Sequence, residues 1–536
     1  MIPQAMPIQL VIPEIVLAGA GCLCLLLGAM KSQAARRSIP YIALLALVAD
    51  ILLTVFVFKN QTGAGAGLVF GSVTAFARTS ALVLGVLLVL ANWSQAKPDE
   101  EGEYVAMMLF SLAGLLLVAP AENLVLLFSA IELVSIPTYV LVVLSRRNLK
   151  ALEAGTKYFY LGALSAAILA YGMSFLYGVG GSIDLSTGAE SIRAALHGER
   201  GPYALSLALL GIGLTLGGLF FKIAAAPLHF YIADVYEGAA NGVAGLLGFV
   251  PKFAGLLAIF KILSLTGVWY GTTDATFVLI WIAAALSMTL GNILAFRQDN
   301  LKRMLAYSGV AHSGYMLVAV LAGPLTGDSG SVSNGLAAVL YYAVIYGIAN
   351  LACFVILGVL KFRGLPCESL REVGGLLRRE PALALLLAVA MLTLMGVPPL
   401  PGFWGKLGLF GSALAVAQSG GERSAWLVVL VVVALLNTAI AAAYYLRVVA
   451  ALLLYEQDET AEADPLLEAQ SLGAYICGVL LLIFAIFPSV LMNSSLAATN
   501  SVMNAATPQI AQRPAASVVV ATEGDRNPSI PQLSTR

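Results

Sequence analysis

Residues 213–238 read GLTLGGLFFKIAAAPLHFYIADVYEG, an apolar run that carries Lys222 five residues before Pro227. A proline inside such a run interrupts the helix and frees backbone groups. At membrane depth those groups are tolerated only where protein covers them or where they line a cavity. A second run repeats the combination: residues 392–414, LTLMGVPPLPGFWGKLGLFGSAL, place Lys406 beside three prolines. Two proline-broken apolar segments, each with a lysine, are the best sequence pointer to an ion path through a transporter.

The rest of the chain supports a membrane setting. Of 536 residues 60% are hydrophobic and 11% charged, against about 25% charged in a soluble domain. The 29 basic and 29 acidic residues cancel, so no net field attracts an acidic partner. Disorder, a disulfide scaffold and nucleic-acid binding are excluded for the bulk of the chain. Because a span needs roughly 20 apolar residues, we read fourteen: near 10–30, 39–58, 69–93, 104–118, 121–144, 154–179, 203–226, 239–267, 275–296, 303–323, 334–360, 382–418, 425–453 and 470–495. The fold class is therefore an all-α polytopic membrane protein with broken helices seven and twelve. No Lys or Arg precedes Lys31, which argues against a cleaved signal peptide. The loops after odd-numbered spans hold sixteen Lys and Arg and the opposite side seven, so the positive-inside rule places both termini outside the cytoplasm.

The two broken spans are five apart in order, an odd offset, so equivalent elements would be inverted in the membrane. The expected organisation is a three-helix segment over 1–103, a first five-helix repeat over 104–267 and an inverted second repeat over 268–455. Helix fourteen follows within 456–498, and a polar, disordered tail runs over 499–536.

Charges inside the spans are the candidate site. A lysine at the bilayer centre costs at least about 2.5–3.5 kcal/mol, so each faces a partner, lines a wet path or snorkels to the headgroups. Glu132, in LLFSAIELVSIPTYVL (126–141), is flanked by uncharged residues from Asn123 to Ile131 and from Leu133 to Ser145. It cannot easily reach either surface, and it is the obvious partner for Lys222. Lys222 itself suits proton transfer, since an apolar setting penalises the ammonium while a nearby carboxylate holds the proton on. Lys252 follows Pro251 in mid-span, and we read it as functional. Lys261, nine residues on, points to the opposite face and reads as a snorkelling end residue. His312, early in the tenth span, can accept and donate a proton near neutral pH, although a buried histidine is also often merely hydrogen-bonded. His229, just after Pro227, reads as a loop or gate residue. Lys157, at the mouth of the sixth span, either snorkels or feeds protons inward. Asp50 and Arg78 are intramembrane charges without an evident partner, read as packing against neighbouring helices. The five cysteines and three histidines form no metal-like grouping. No iron–sulfur, haem or zinc site is readable, so the expected cofactors and metals of this chain are none.

In order, the runs LLFSAIELVSIPTYVL, TKYFYLGALSAAILAYG, FKIAAAPLHFYIADVYEGA, RQDNLKRMLAYSGVAHSGYML and GVPPLPGFWGKLGLF resemble the antiporter-like membrane subunits of respiratory complex I. More narrowly they resemble the N-type, or subunit 2, of the bacterial proton-pumping NADH:quinone oxidoreductase. The resemblance spans about Glu103 to Tyr455, is vague over the first three spans and is absent in the tail. It implies that Glu132 pairs with Lys222, that Lys252 is the central relay and His312 a bridge between two half-channels, and that Lys406 faces the exit. Lysine at 406 favours the N-type over the M-type, which carries glutamate there. The L-type has further C-terminal helices, for which no apolar sequence remains after 495. Gly155-Thr156 departs from the Ala-Leu expected before Lys157.

The resemblance further implies a translocase subunit of the bacterial plasma (inner) membrane. Its partners would be the other membrane-arm subunits and the lipid bilayer, with no nucleic acid. NAD, FMN, iron–sulfur clusters and quinone would lie in partner subunits. Two alternatives use the same charges: a stand-alone cation/proton antiporter or Mrp-type subunit, and a structural membrane subunit with vestigial charges.

Overall fold

The computed structural model describes residues 8–510 apart from 59–61, 94–98, 147, 271–273, 325–333, 364, 419, 456–461 and 465–467. A backbone in hydrocarbon must satisfy its own N–H and C=O groups, so the long apolar runs become helices. The chain opens with α1 (Ile12–Ala29), α2 (Gln33–Arg37) and α3 (Ile39–Leu52), which a π turn prolongs over Leu53–Val57. A hairpin of β1 (Gly63–Gly65) and β2 (Leu68–Phe70) leads into α4 (Ser72–Ala91). Next come α5 (Glu101–Val118), α6 (Leu124–Ser145), α7 (Leu149–Gly180) and α8 (Leu185–Leu196). The first broken span is α9 (Pro202–Lys222) and α10 (Ile232–Gly238), followed by α11 (Asn241–Thr266), α12 (Ala275–Phe296), α13 (Leu301–Ala322) and α14 (Gly335–Val359). Strands β3 (Leu360–Phe362) and β4 (Leu365–Pro366) precede the second broken span, α15 (Pro381–Met395) and α16 (Pro401–Gln418). The chain continues through α17 (Arg423–Leu454), β5 (Glu462–Ala463), which pairs with β3, then α18 (Glu468–Ile486) and α19 (Pro488–Ile510).

Among the described residues thirteen helices are long and apolar enough to cross a bilayer. The pair α15–α16 adds the interrupted crossing, and the chain is a multi-pass, all-α membrane protein. Burial divides the helices into two layers. The most apolar window of α11 is wholly buried and those of α13 and α14 are 94% buried, against 33% in α7 and α17. The first three form the centre. The others turn side chains such as Tyr160, Leu164, Leu435 and Leu436 outward, as a lipid-facing surface requires. Asn and Asp side chains cap the central entries: Asn123 accepts from the amides of Val125 and Leu126, Asp274 from Phe277 and Asn300 from Arg303.

Two expectations need correction, and one helix lies outside the spans read from the sequence. The span placed at 470–495 is two helices, because Pro488 lacks an amide hydrogen and its ring clashes with the preceding turn. The disordered tail does not begin at 499: α19 runs on through Ala-rich sequence to Ile510, and residues 511–536 lie outside the described ones. Finally, α8 was unexpected. Its buried residues Leu185, Gly188, Ile192 and Ala195 recur at helical spacing in an otherwise polar segment.

Candidate functional site

The site starts where α9 stops. Ala224 adopts φ +54°, a left-handed conformation that costs an L-residue roughly 1–2 kcal/mol. The chain then folds back, with the amides of Ala224 and Ala225 on the carbonyls of Phe221 and Phe220 at 2.9 and 2.8 Å. Side chains from other helices take the remaining groups. The Ser313 hydroxyl donates to the Ile223 carbonyl at 2.6 Å, Tyr231 donates to the Phe221 carbonyl at 2.8 Å, and the Ala226 amide donates to Ser287 at 2.8 Å. The break is thus covered by protein, as membrane depth requires.

Lys222, the last residue of α9, donates to Glu132 Oε1 at 2.8 Å and to the Tyr139 hydroxyl at 3.2 Å. Their side chains are 4% and 13% exposed, so the two charges compensate each other inside the protein. Lys252 on α11 donates to the Gly309 carbonyl at 2.5 Å and to the Tyr346 hydroxyl at 3.3 Å. Gly309 is required for this approach, since a Cβ there would lie 2.7 Å from Lys252 Nζ. No carboxylate pairs with Lys252 among the described residues. Between the two lysines stands Ser313, whose Oγ also reaches the Gly309 carbonyl at 3.1 Å.

Beyond Lys252 lies a cluster of aromatic hydroxyls. The buried His312 ring is 4.9 Å from that of Tyr346. Its Nδ1 is 2.7 Å from the Tyr342 hydroxyl and its Nε2 2.9 Å from that of Tyr445, which in turn contacts Ser308. Lys406 closes the row from α16. It donates to the Met395 carbonyl at 2.8 Å, capping the C-terminal end of α15, and its Nζ stands 4.9 Å from the Tyr315 ring centroid. A cation at a helix C-terminus is favoured by the macrodipole. Gly396, at φ +87°, turns the chain here, and a Cβ on it would meet Lys406 Cδ at 2.9 Å. The fold therefore brings Glu132, Lys222, Lys252, His312 and Lys406 into one buried region, with hydroxyls that the sequence reading did not single out around the first four, Tyr139, Ser313, Tyr346, Tyr342 and Tyr445, and the Tyr315 ring between His312 and Lys406.

Two candidates stay outside the row. Lys157 pairs with Glu153 at 2.6 Å and Asp234 at 2.9 Å, in a half-exposed network where Arg303 bridges Asp234 and Glu237 at 2.8 Å each. His229 lies buried in the break, its Nδ1 without a hydrogen-bond partner among the described residues. Other charges correct the reading. Lys261 is ion-paired with Glu122 at 2.8 Å rather than free to snorkel. Arg78 has a partner, Glu14 of α1. Lys302, counted among loop charges, is wholly buried and donates to the carbonyls of Glu237 and Ala239 at 2.9 and 2.6 Å, anchoring the end of α10.

A family model described as NADH:quinone oxidoreductase/Mrp antiporter, transmembrane, matches residues 121–437. The chain is 34% identical over 419 residues to a protein of Trichlorobacter lovleyi named NADH-quinone oxidoreductase subunit N, covering 77% of this chain and 82% of that protein. It is 31% identical over 507 residues to the protein of that name from Thioalkalivibrio sulfidiphilus, covering 92% and 98%. A chain of respiratory complex I from Thermus thermophilus superposes with a TM-score of 0.72 at 28% identity, over 90% of this chain and 98% of that one. A chain of the Mrp complex from Dietzia sp. shares the fold alone, at 19% identity and a TM-score of 0.74, over 93% and 99%. The chain belongs to the family of NADH:quinone oxidoreductase and Mrp antiporter membrane subunits.

Proposed function

We propose that this chain is the N-type membrane-arm subunit of a proton-translocating NADH:quinone oxidoreductase, and that its row of buried lysines carries the protons. The observation behind this reading is the buried row itself: Glu132 pairs with Lys222, Ser313 links the Ile223 carbonyl to the Gly309 carbonyl that Lys252 also binds, Tyr346 stands between Lys252 and His312, and the Tyr315 ring lies between His312 and Lys406. The names and coverage of its relatives support a redox-driven complex as the setting of this chain. Moving one charge across the membrane costs about 2.3 kcal/mol per 100 mV. In this reading that energy comes from quinone reduction in partner subunits, which would hold NAD, FMN, iron–sulfur clusters and quinone.

In the cycle we infer, a change in the membrane arm draws Glu132 away from Lys222. Without its counter-charge the ammonium is unfavourable in an apolar site, and the proton passes toward Lys252. His312, held between two tyrosine hydroxyls, hands charge on to the Lys406 side, from which a proton leaves. Restoring the Glu132–Lys222 contact reloads Lys222 through the Lys157–Asp234 mouth. The excess of Lys and Arg in loops after odd spans puts this mouth on the cytoplasmic side of a bacterial inner membrane and both termini on the periplasmic side. Spans four to eight and nine to thirteen then form two inverted repeats, each with one broken helix, over 104–267 and 268–455.

The Mrp-type fold and the family description favour one second reading, a cation/proton antiporter module. Affinity purification from the native membrane separates the two. The reading proposed here requires co-purification with NADH-oxidising, quinone-reducing activity. Cation-driven proton transport by the chain without that activity, in liposomes, would favour the antiporter.

A further inference from the structure

Three charges are buried in the N-terminal helices, apart from the lysine row. Glu14 on α1 is 4% exposed, Asp50 on α3 0% and Arg78 on α4 3%. Glu14 occupies the arginine: Nε and Nη2 of Arg78 reach its Oε1 at 2.9 and 2.5 Å, and Nη2 also donates to the Leu10 carbonyl at 2.8 Å. Asp50 has no hydrogen-bond partner on either carboxyl oxygen among the described residues, and neither does Glu14 Oε2 nor Thr54 Oγ1. The one guanidinium is thus taken by Glu14, and Asp50 is left without it. Glu14 and Arg78 are the charged groups that act on Asp50. Of the other helices packed on α3, α5 carries Glu101 and Glu103 in its first turn and α2 carries Arg36 and Arg37, both near the end of α3 opposite Asp50.

A carboxylate with no donor and no cation of its own is not stable in an apolar interior; the group escapes that cost by holding a proton. A small cavity lies one helical turn away. Thr54, one helical turn beyond Asp50, lines a cavity of about 10 Å³ with Leu10, Phe58, Phe70, Thr74 and Arg78. That is room for about one water centre, with the unpartnered Thr54 hydroxyl and the guanidinium edge available to orient it. The lining residues come from the start of α1, the end of α3 and the start of α4. The cavity therefore faces the side of the membrane on which the N-terminus lies.

We propose that Asp50 is a proton-binding site separate from the lysine row: its carboxyl holds one proton, exchanged with the N-terminal side of the membrane through the Thr54–Arg78 cavity, while the Glu14–Arg78 pair stays fixed beside it. Full burial within this chain leaves no face of Asp50 for a neighbouring subunit's cation to touch. The proposal does not depend on the function assigned above.

Infrared difference spectroscopy across pH steps, on the intact assembly containing this chain, tests it. The wild type is expected to show a protonated-carboxyl band that shifts in D2O. The band should be lost in Asp50→Asn and displaced in Asp50→Glu. Asp50→Asn should also assemble to wild-type yield, because an amide matches a neutral acid in size and charge. A spectrum unchanged by Asp50→Asn would overturn the proposal, as would a band insensitive to D2O. Failure of Asp50→Asn to assemble would mean that the carboxylate is ionised, and removal of the band by sodium at constant pH would make this a cation site; either result contradicts a proton site.

Discussion

Lys252 and Ser313 converge on one acceptor, the carbonyl of Gly309, and Ser313 reaches from there to the Ile223 carbonyl, next to Lys222. This hydroxyl is the polar contact that joins the broken helix of one lysine to the other. Replacing it should slow proton transfer without unfolding the protein. A hydrogen bond contributes about 1 kcal/mol, so Ser313→Ala is expected to lower pumping roughly fivefold, by the factor of ten per 1.36 kcal/mol. Ser313→Thr keeps the hydroxyl and should recover most of the rate. Pumping in inverted vesicles, normalised to assembled complex, checks this.

Glu132→Gln removes the counter-charge and leaves Lys222 with the Tyr139 hydroxyl. Removing one partner of a buried pair costs about 3–5 kcal/mol, and the proposed cycle loses the contact whose breaking and re-forming drives it. The complex is expected to assemble with little or no pumping, whereas Glu132→Asp, shorter by one methylene, should be intermediate. The same vesicle assay and a native gel measure both effects.

Lys406 serves two ends that can be separated. It caps the Met395 carbonyl, and in the proposed cycle it also releases a proton. Lys406→Met should lose both, with a stability decrease of about 1–3 kcal/mol from the uncapped carbonyl. Lys406→Arg retains a donor but cannot deprotonate, so it should recover thermal stability and still fail to pump. A thermal melt of the purified complex beside the pumping assay distinguishes these outcomes.

The Glu14–Arg78 pair is a structural contact of the N-terminal helices. Removing one partner of a buried pair costs about 3–5 kcal/mol, so Arg78→Met or Glu14→Gln should lower the melting temperature of the complex or its assembled yield. The double variant Glu14→Gln/Arg78→Met should be less harmful than Arg78→Met alone, because it leaves no unpaired charge.

Much of the site could be read from sequence because its signals are chemically loud there. A glutamate or lysine among twenty apolar residues, or a proline inside such a run, stands out without any structure, and this is how Glu132, Lys222, Lys252 and Lys406 were found. Ser313, Tyr346 and Tyr445 are uncharged residues of ordinary span composition, and only packing shows them linking the charges. Glu14 lies in the first turn of its helix, 64 residues before Arg78, and nothing in the sequence pairs the two. Pro488 was passed over because apolar residues continue on both sides of it. The four buried positions of α8, two of them Gly188 and Ala195, are too few to mark a helix within a polar loop.

Lys222→Ala, in membranes where a native gel shows intact assembly, bears on the whole scheme. Proton pumping and NADH:quinone turnover should be read on the same preparation. If the lysine row carries the protons, both activities fall to background while the assembly persists. Undiminished pumping would show that the buried pair with Glu132 is structural or bypassed, and the proposed path would be wrong.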